Sequence, residues 1–415
     1  MNNERRIQVV AGWLKTEPVI GVLFASTQRG NQTYSFEYSD YWLKNFGHLT
    51  LDPDLYPFRG RQFLPAGKKM FGMFSDCSPD RWGRKLMNRR ESIVSQQEGR
   101  SQHTLYEIDY LLGVFDDTRS GALRFKDEKT GKYYSSETYL ETPPLAKLRQ
   151  LQQYSFDFED NKDPYEKKWI KQLIVPGSSL GGARPKSSVK DEYGAFWIAK
   201  FSSRNDEFHV PAWEKTLNEL AAMVGLDVPE SMYIEFDSLS SCFLSKRFDR
   251  DMKDGNYGRI HFTSAMTMLG KIDGDSASYL DIAEFIKQNS SKPQKDLYEL
   301  WSRIAFNMAV SNTDDHLRNH GFLLKNNFWE LSPLFDITPS LYRSELSLNI
   351  DEYNSAKDTS LLLETAKYYA MDFDTATERL TEIFSIVQKN WRRIASKYGI
   401  SNNEQALMKK CFPES

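Results

Sequence analysis

The segment from Asn312 to Asn319, Asn-Thr-Asp-Asp-His-Leu-Arg-Asn, concentrates carboxylate, amide and imidazole groups in a short stretch of chain. Asp314 and Asn319 are five positions apart, and Asp336 follows at the end of the sequence Leu-Ser-Pro-Leu-Phe-Asp. In one class of phosphoryl-transfer enzymes, an aspartate orients the attacking hydroxyl group, an asparagine at this spacing binds Mg²⁺, and a second aspartate holds the metal against the phosphates. The pattern therefore predicts a phosphoryl-transfer centre.

A β-hairpin is predicted between the two halves of this centre. Its parts are the strand 321–325 (Gly-Phe-Leu-Leu-Lys), the turn Asn326-Asn327 and the strand 328–331 (Phe-Trp-Glu-Leu). Such a hairpin would return Asp336 to the side of Asp314. Carboxylate and amide oxygens are hard ligands that suit Mg²⁺, which would neutralise the charge of the transferred phosphoryl group.

Two other interpretations of the same segment are open. His316 and His320 are four positions apart and could bind a transition metal such as zinc from one helical face. However, Leu317 rather than glutamate follows His316, no cysteine is nearby, and a third ligand is not evident. Alternatively, the polar side chains could serve only to cap turns in a surface loop.

An ATP-dependent transferase also needs backbone amides near the phosphates and a lysine on an adjacent strand. Residues 177–186, Gly-Ser-Ser-Leu-Gly-Gly-Ala-Arg-Pro-Lys, are small enough for their amides to approach an anion, although they match neither a Walker motif nor Gly-x-Gly-x-x-Gly. The apolar strand predicted over 195–201 contains one lysine, Lys200. Its amine could simply reach solvent from the strand end, but its position after the glycine loop favours phosphate binding.

Lys200 needs an acidic partner, which we expect on the helix predicted from about Pro211 to Val224. Glu214 and Glu219 are both candidates, and the residues alone do not decide between them. Strands are predicted over 230–236 and 242–248. The second strand would lead into a hinge that contacts adenine, for which the candidates are Lys246, Arg247 and Phe248.

Together these motifs resemble the HipA-type serine/threonine kinases, the toxins of a bacterial type II toxin–antitoxin pair, over nearly the whole chain. The motifs that carry the resemblance are residues 71–84 (Phe-Gly-Met-Phe-Ser-Asp-Cys-Ser-Pro-Asp-Arg-Trp-Gly-Arg), 116–125 (Asp-Asp-Thr-Arg-Ser-Gly-Ala-Leu-Arg-Phe), 179–186, 247–250 (Arg-Phe-Asp-Arg), 312–319 and 331–336.

The resemblance implies a role for each matching residue. Asp314 would be the catalytic base, acting with Lys200 and Asn319, and the metal ligands would be Asn319 and Asp336. The nucleotide-binding set would comprise Gly181, Gly182, Ala183, Arg184, Pro185, Lys186, Lys200, Lys246, Arg247, Phe248, His316 and Asp336. The resemblance also favours Glu214 over Glu219, because Glu214 aligns with the helix glutamate of the family.

The same resemblance places an autophosphorylated serine at Ser179, with Ser178 beside it. A phosphate brings nearly two negative charges into a loop meant to bind another anion. We therefore expect phosphorylation of Ser179 to expel the loop and to switch the enzyme off.

The expected fold class is α+β, a kinase-like bilobal fold. Its parts are a β-rich amino-terminal subdomain at 1–100, the kinase amino-terminal lobe at 101–250 and a largely helical carboxy-terminal lobe at 251–415. A chain of 415 residues is long for one hydrophobic core. Residues 280–310 and 360–410 are predicted to be helical, and an apolar stripe is formed by Leu297, Leu300, Trp301, Ile304 and Met308.

Composition limits the environment and the partners. The chain has 54 basic and 57 acidic residues and a formal charge of -3, which argues against tight nucleic-acid binding by the whole surface. Cys77, Cys242 and Cys411 are widely separated, as expected in a reducing cytoplasm. No apolar signal region or long apolar run is evident, so we expect a cytoplasmic protein that does not enter the membrane.

The leading functional hypothesis is an ATP- and Mg²⁺-dependent protein serine/threonine kinase. The resemblance implies a growth-arresting toxin that phosphorylates a cytoplasmic protein, with an aminoacyl-tRNA synthetase as the first guess. It also implies a helix-turn-helix antitoxin, through which the kinase would meet DNA only indirectly. The alternatives are a weakly active or inactive nucleotide-binding corepressor that acts with a DNA-binding antitoxin, and a small-molecule kinase with the same machinery.

Overall fold

The structure is a computed structural model that describes residues 3–28, 30–136, 142–160, 182–238, 240–253 and 256–414. The chain divides into two compact units. The amino-terminal unit comprises Met1–Ala199, Asp249–Thr263 and Gly270–Ile272, and the carboxy-terminal unit comprises Lys200–Phe248, Ser264–Leu269 and Asp273–Ser415. The three modules expected at 1–100, 101–250 and 251–415 remain a prediction.

The amino-terminal unit mixes strands with short helices. Its strands are β1 (Asn3–Ala11), β2 (Val19–Gln28), β3 (Asn31–Tyr38), β4 (Gln62–Phe63), β5 (Leu123–Asp127), β6 (Lys186–Lys190), β10 (Arg250–Lys253) and β11 (Asn256–Arg259). Its helices are α1 (Asp40–Phe46), α2 (Gly72–Ser75), α3 (Arg81–Gln97), α4 (Glu107–Gly113) and α5 (Leu148–Glu159), with 3-10 turns at Asp116–Thr118 and Leu145–Lys147. Strand β7 (Phe196–Phe201) begins in this unit, and β12 (Phe262–Ser264) ends at its boundary.

A five-stranded antiparallel sheet with the order β4-β3-β2-β1-β5 forms the core of this unit. Ile7 of β1 faces Leu23 of β2, and both are fully buried. The ring of Phe74 in α2 packs against Phe36 of β3 and Phe125 of β5, with ring centroids 5.8 and 5.9 Å away. The β-rich character expected for this region follows from strands that bury one face against this aromatic cluster.

The carboxy-terminal unit contains most of the helices. They are α6 (Val210–Met223), α7 (Ala265–Met268), α8 (Tyr279–Asn289), α9 (Pro293–Val310), α10 (Thr359–Thr365), α11 (Phe373–Lys397) and α12 (Asn402–Met408), with 3-10 turns at Leu317–Asn319, Ala366–Tyr369 and Lys409–Cys411. Its hairpins are β8 (Ser231–Asp237) with β9 (Ser240–Lys246) and β13 (Gly321–Lys325) with β14 (Phe328–Leu331).

Helix α9 lies at the centre of this unit. The apolar stripe predicted on it is buried, from Leu297 to Met308. Arg379 of α11 donates hydrogen bonds to Ser302 Oγ at 3.1 Å and to the carbonyl of Val224, just after α6, at 2.6 Å. These contacts connect α6, α9 and α11, so the helix that precedes residues 312–319 is held by its neighbours.

The structure contains both β-sheets and α-helices, which confirms the α+β class. Among the described residues, no helix is long and apolar enough to cross a membrane.

Candidate active site

The predicted catalytic loop, residues 312–319, follows the end of α9. Ser311, the residue after the helix, adopts a left-handed conformation with φ 50°, which turns the chain out of the helix. Asp314 then places its carboxylate outward, with 65% of its side chain exposed. The neighbouring Asp315 is 1% exposed. Two adjacent aspartates therefore occupy opposite environments, and only Asp314 presents its carboxylate to solvent.

Asp315 is the centre of a buried hydrogen-bond network. Its Oδ2 accepts from the Tyr279 hydroxyl at 2.8 Å and from Asn307 Nδ2 at 2.7 Å, and it lies 2.8 Å from His320 Nε2. Burial by itself would raise the pKa of Asp315, but the charge of His320 and the hydrogen bonds from His320 and Tyr279 outweigh it, so the pKa lies below its ordinary value. The carboxylate thus fixes the loop backbone to α8, to α9 and to the start of β13.

The segment after Asp336 is tied to the same loop. Asn312 donates from Nδ2 to Asn307 Oδ1 at 3.0 Å, and its Oδ1 accepts from the Thr338 amide at 3.4 Å. The Ser340 amide also donates to the carbonyl of Ser311 at 2.9 Å. The chain on either side of the predicted hairpin is therefore brought together.

The predicted hairpin is confirmed. Strands β13 and β14 pair antiparallel, with Phe322 opposite Leu331 and Lys325 opposite Phe328. Asn326 and Asn327 both have positive φ values, 51° and 65°, as a two-residue type I′ turn requires.

Lys200 joins two carboxylates. Its Nζ donates to Glu214 Oε1 at 2.5 Å and also forms an ion pair with Asp336 Oδ1. Burial would lower the pKa of Lys200, but the charges of Asp336 and Glu214 overcome it and raise the pKa, so the ammonium stays charged. Glu219 lies elsewhere and bonds Lys397 at 2.8 Å and the Tyr398 hydroxyl. The structure therefore pairs Lys200 with Glu214, the candidate that the family resemblance favours, and not with Glu219.

Asn319 and Asp336 offer oxygen ligands of the kind that Mg²⁺ prefers. Asn319 is 5% exposed, and its Nδ2 donates to the carbonyl of Asp314 at 3.1 Å. Its amide oxygen is therefore the atom suited to a metal. Within the described part of the chain, no three His, Cys, Asp or Glu side chains form a metal-binding group. The donor set fits Mg²⁺, which takes one or two protein carboxylates and completes its shell with water and phosphate.

The two histidines of this segment differ in environment. His320 is fully buried and is committed through Nε2 to Asp315. His316, assigned to the nucleotide-binding set, is half-buried, and its Nδ1 has no hydrogen-bond partner among the described residues. The geometry gives His320 a structural role in the buried network, whereas a zinc site would need both rings as ligands.

The hinge candidates lie around the end of β9. Lys246 pairs with Glu230 at 2.9 Å, and Arg247 is buried. The Phe248 ring packs against Phe335, the residue before Asp336, with centroids 5.5 Å apart. The end of β9 therefore lies beside the start of the proposed metal-binding segment.

Within the amino-terminal unit, the second half of the 247–250 motif is bound to the 116–125 motif. The Gly121 amide donates to Asp249 Oδ2 at 2.8 Å, and the Arg250 guanidinium donates to the carbonyls of Gly121 and Arg119 at 3.0 and 2.7 Å. Hydrogen bonds therefore join these two motifs, which are more than a hundred residues apart in the sequence.

The phosphate-loop candidates also belong to the amino-terminal unit. Ser178, Ser179 and Gly181 lie outside the described residues. Gly182 and Ala183 are exposed, Arg184 is half-buried, and Pro185 and Lys186 are buried. Lys186 Nζ lies 3.0 Å from Asp80 Oδ2, a contact that the sequence did not suggest.

Sequence reasoning missed several residues of this site. The sequence pattern assigns a role to Asp314 and none to Asp315, although both aspartates lie between polar residues. Arg343, whose Nη1 lies 2.8 Å from Asp314 Oδ1, follows no motif and could be found only from the structure. Tyr279 and Asn307 lie on preceding helices and gave no local signal of their contact with Asp315.

A model of the HipA-like C-terminal domain matches residues 178–395, just over half of the chain. The chain belongs to this HipA-like family. The family recognition made from the sequence motifs is therefore confirmed.

Relatives of this HipA-like chain are named as kinases or as a toxin. A Haemophilus influenzae protein named "Putative kinase" is 29% identical over 239 residues, which are 49% of this chain and 69% of that protein. Toxin YjjJ of Escherichia coli is 21% identical over 332 residues, 77% of this chain and 67% of the toxin.

A solved Shewanella oneidensis HipA, in a complex with HipB and operator DNA, matches the fold with a TM-score of 0.67 and 16% identity, over 98% of this chain and 94% of the other. At that identity the match shows the fold alone.

Proposed function

We propose that this HipA-like chain is an ATP- and Mg²⁺-dependent protein serine/threonine kinase that acts as a growth-arresting toxin. The observation that carries the proposal is the pairing of Lys200 with both Glu214 and Asp336 in one unit that also holds Asp314 and Asn319. A charged lysine beside the metal-binding aspartate suits the binding of ATP phosphates.

Each residue has a distinct part in this proposal. Lys200 binds the phosphates, and Glu214 holds its ammonium in place. Asn319 and Asp336 would hold Mg²⁺, which neutralises the phosphate charge when it is bound. Asp314 orients the acceptor hydroxyl and accepts its proton, while the buried Asp315 network keeps the Asp314 carboxylate pointing outward. ATP would supply the phosphoryl group.

A protein acceptor is favoured by the exposure of Asp314. Its side chain is 65% exposed, which suits a hydroxyl group presented on the surface of another protein. The names of relatives, a putative kinase and a toxin, support a kinase that acts as a toxin. The finer assignments, an aminoacyl-tRNA synthetase as target and Ser179 as the autophosphorylated residue, rest on the family resemblance. The proposed cytoplasmic location rests instead on the three widely separated cysteines.

An antitoxin partner is part of the proposal. The solved HipA with the matching fold is in a complex with HipB and operator DNA. We expect this chain likewise to bind a helix-turn-helix antitoxin and to reach DNA only through it.

The proposal is tested by incubating the purified chain with labelled ATP and Mg²⁺, alone and with a cell lysate, beside Asp314→Asn. Label on serine of the chain and on a lysate protein, absent with the variant, is the expected result. Label only on metabolites would point to a small-molecule kinase. Nucleotide binding without any transfer would point to a corepressor.

A further inference from the structure

The motif at residues 71–84 has no part in the proposed chemistry, but it combines buried apolar side chains with the buried carboxylate of Asp80. Within it, Asp80 precedes helix α3 and caps it by accepting from the Gly83 amide at 2.7 Å through Oδ1. Its other oxygen, Oδ2, lies 3.0 Å from Lys186 Nζ. One buried carboxylate therefore serves both a helix end and a lysine far along the chain.

The Asp80–Lys186 pair is shielded from water on both sides. The side chain of Asp80 is 2% exposed and that of Lys186 is 3% exposed. A buried lysine that leaves its carboxylate leaves an uncompensated charge behind, which is strongly unfavourable. Lys186 is therefore held at Asp80 and is poorly placed to move to a ligand.

The Lys186 ammonium also lies close to Gly182, a glycine of the predicted phosphate loop at residues 177–186. A Cβ atom built on Gly182 would be 2.8 Å from Lys186 Nζ, and Gly182 has a φ of 100°, which side chains rarely tolerate. The Lys186 side chain thus folds back beneath Gly182 from the first residue of β6. Lys186 therefore lies between Asp80 on one side and the backbone of Gly182 on the other.

We propose that Asp80 is a positioning residue for residues 182–186, the described end of the phosphate loop. It fixes the Lys186 ammonium, and the ammonium sets the position of the Gly182 backbone. This inference rests on the proposed function, since it assumes that the loop binds the phosphates of ATP. It assigns Lys186 to the support of the loop instead of to direct phosphate contact, and it gives the 71–84 motif a role in nucleotide affinity.

Two substitutions of Asp80 separate its charge from its capping role. Asp80→Asn keeps the shape and a capping oxygen but removes the negative charge. Asp80→Ser also keeps a favoured N-cap residue and shortens the side chain, so it tests the result independently if the first variant folds poorly. Asp54→Asn is the matched control, because Asp54 pairs with Lys68 at 2.5 Å in the same unit without contacting the loop residues 182–186.

The measurement is calorimetric binding of Mg²⁺ with a non-hydrolysable ATP analogue, and of adenosine, to the folded full-length chain. We expect both Asp80 variants to bind the analogue about tenfold to a hundredfold more weakly, since a displacement near 1 Å of a positioned group can cost about that much. Adenosine lacks phosphates, so both Asp80 variants should bind it with the same affinity as the wild type. Asp54→Asn should match the wild type for both ligands.

The route of the effect is tested by combining Asp80→Asn with Lys186→Met. If Asp80 acts through Lys186, the double variant binds the analogue no more weakly than Lys186→Met alone. Additive losses would overturn the inference, because Lys186 would then contact the phosphates independently of Asp80. Wild-type affinity in folded Asp80→Asn and Asp80→Ser would overturn it as well. A wild-type chain that binds no ATP analogue would instead contradict the proposed function on which the inference rests.

Discussion

Arg343 Nη1 lies 2.8 Å from Asp314 Oδ1, so the proposed catalytic base is paired with a cation in this structure. The same nitrogen lies 3.4 Å from Ser347 Oγ, and Ser347 is itself bonded to the carbonyl of Thr313 at 2.9 Å. The pair is well exposed, with 59% of the arginine side chain open to solvent. Exposed ion pairs contribute only about 0–1 kcal/mol, so an acceptor substrate can displace this arginine at little cost.

We therefore predict that Arg343→Gln changes kcat/KM for a protein acceptor by less than about fivefold, the factor that corresponds to 1 kcal/mol. The measurement is the initial rate of phosphate transfer at low and high salt. Wild type and variant should converge at high salt, because screening weakens the ion pair. Loss of all transfer in the variant would show that Arg343 contacts the acceptor or the phosphates.

Asp314→Asn should behave in the opposite way. It removes a base that orients the acceptor hydroxyl, and such a group contributes about two to four orders of magnitude to the rate. Because Asp314 is exposed and outside the buried network, thermal stability and nucleotide affinity should stay close to wild type. The measurements are single-turnover transfer and a melting curve.

Asp374→Asn, at another exposed aspartate of the same unit, is the control and should transfer phosphate normally. Wild-type turnover in Asp314→Asn would remove this residue from the mechanism.

Local sequence patterns predicted the elements that position the site. Helix α6 was expected from about Pro211 to Val224 and runs Val210–Met223, and the hairpin before Asp336 has the expected turn. The helical stretch expected over 280–310 is divided, because Pro293 starts a second helix at a position where proline is favoured. Such elements can be predicted because apolar periodicity and turn residues are properties of residues that are neighbours in the sequence.

Contacts between residues that are far apart in the sequence could not be predicted from it. Glu214 and Glu219 lie on one helix, and only packing decides that Glu214 meets Lys200 while Glu219 meets Lys397. The same holds for Asp80 with Lys186, which are joined across the amino-terminal unit. Which of the two adjacent aspartates is buried likewise depends on Tyr279 and Asn307, both supplied by preceding helices.

Glu214→Gln should weaken ATP binding and turnover, about tenfold or more, because Lys200 then loses a charged partner and its position relaxes. The Lys200 ammonium keeps Asp336 as a counter-charge, so the protein should remain folded. Titration with a non-hydrolysable ATP analogue measures the affinity, and phosphate transfer measures the rate.

Glu219→Gln on the same helix is the matched control, since it breaks the contact with Lys397 instead. Equal losses in both variants would mean that the helix, and not the Lys200 pair, is responsible.

Asp315 should make stability depend on pH. Its folded-state pKa lies below the ordinary value of 3.8, because the charge and hydrogen bond of His320 and the hydrogen bond of Tyr279 outweigh the effect of burial. A carboxyl group with a lowered pKa stabilises the fold above the ordinary pKa, and the stabilisation is lost as the pH falls through the folded-state pKa. Asp315→Asn removes this contribution and also disturbs the loop that carries Asp314.

We expect urea unfolding to show that the variant is less stable than wild type near neutral pH, and that the difference shrinks as the pH falls below about 4. Transfer activity at neutral pH should fall as well, because the buried network no longer holds the loop. The comparison with Asp314→Asn is informative, since that exposed neighbour should show no such pH-dependent difference in stability. A stability difference between wild type and Asp315→Asn that is constant from pH 7 to about pH 3 would contradict the role of the carboxylate charge. It would attribute the effect to side-chain shape and hydrogen bonding alone.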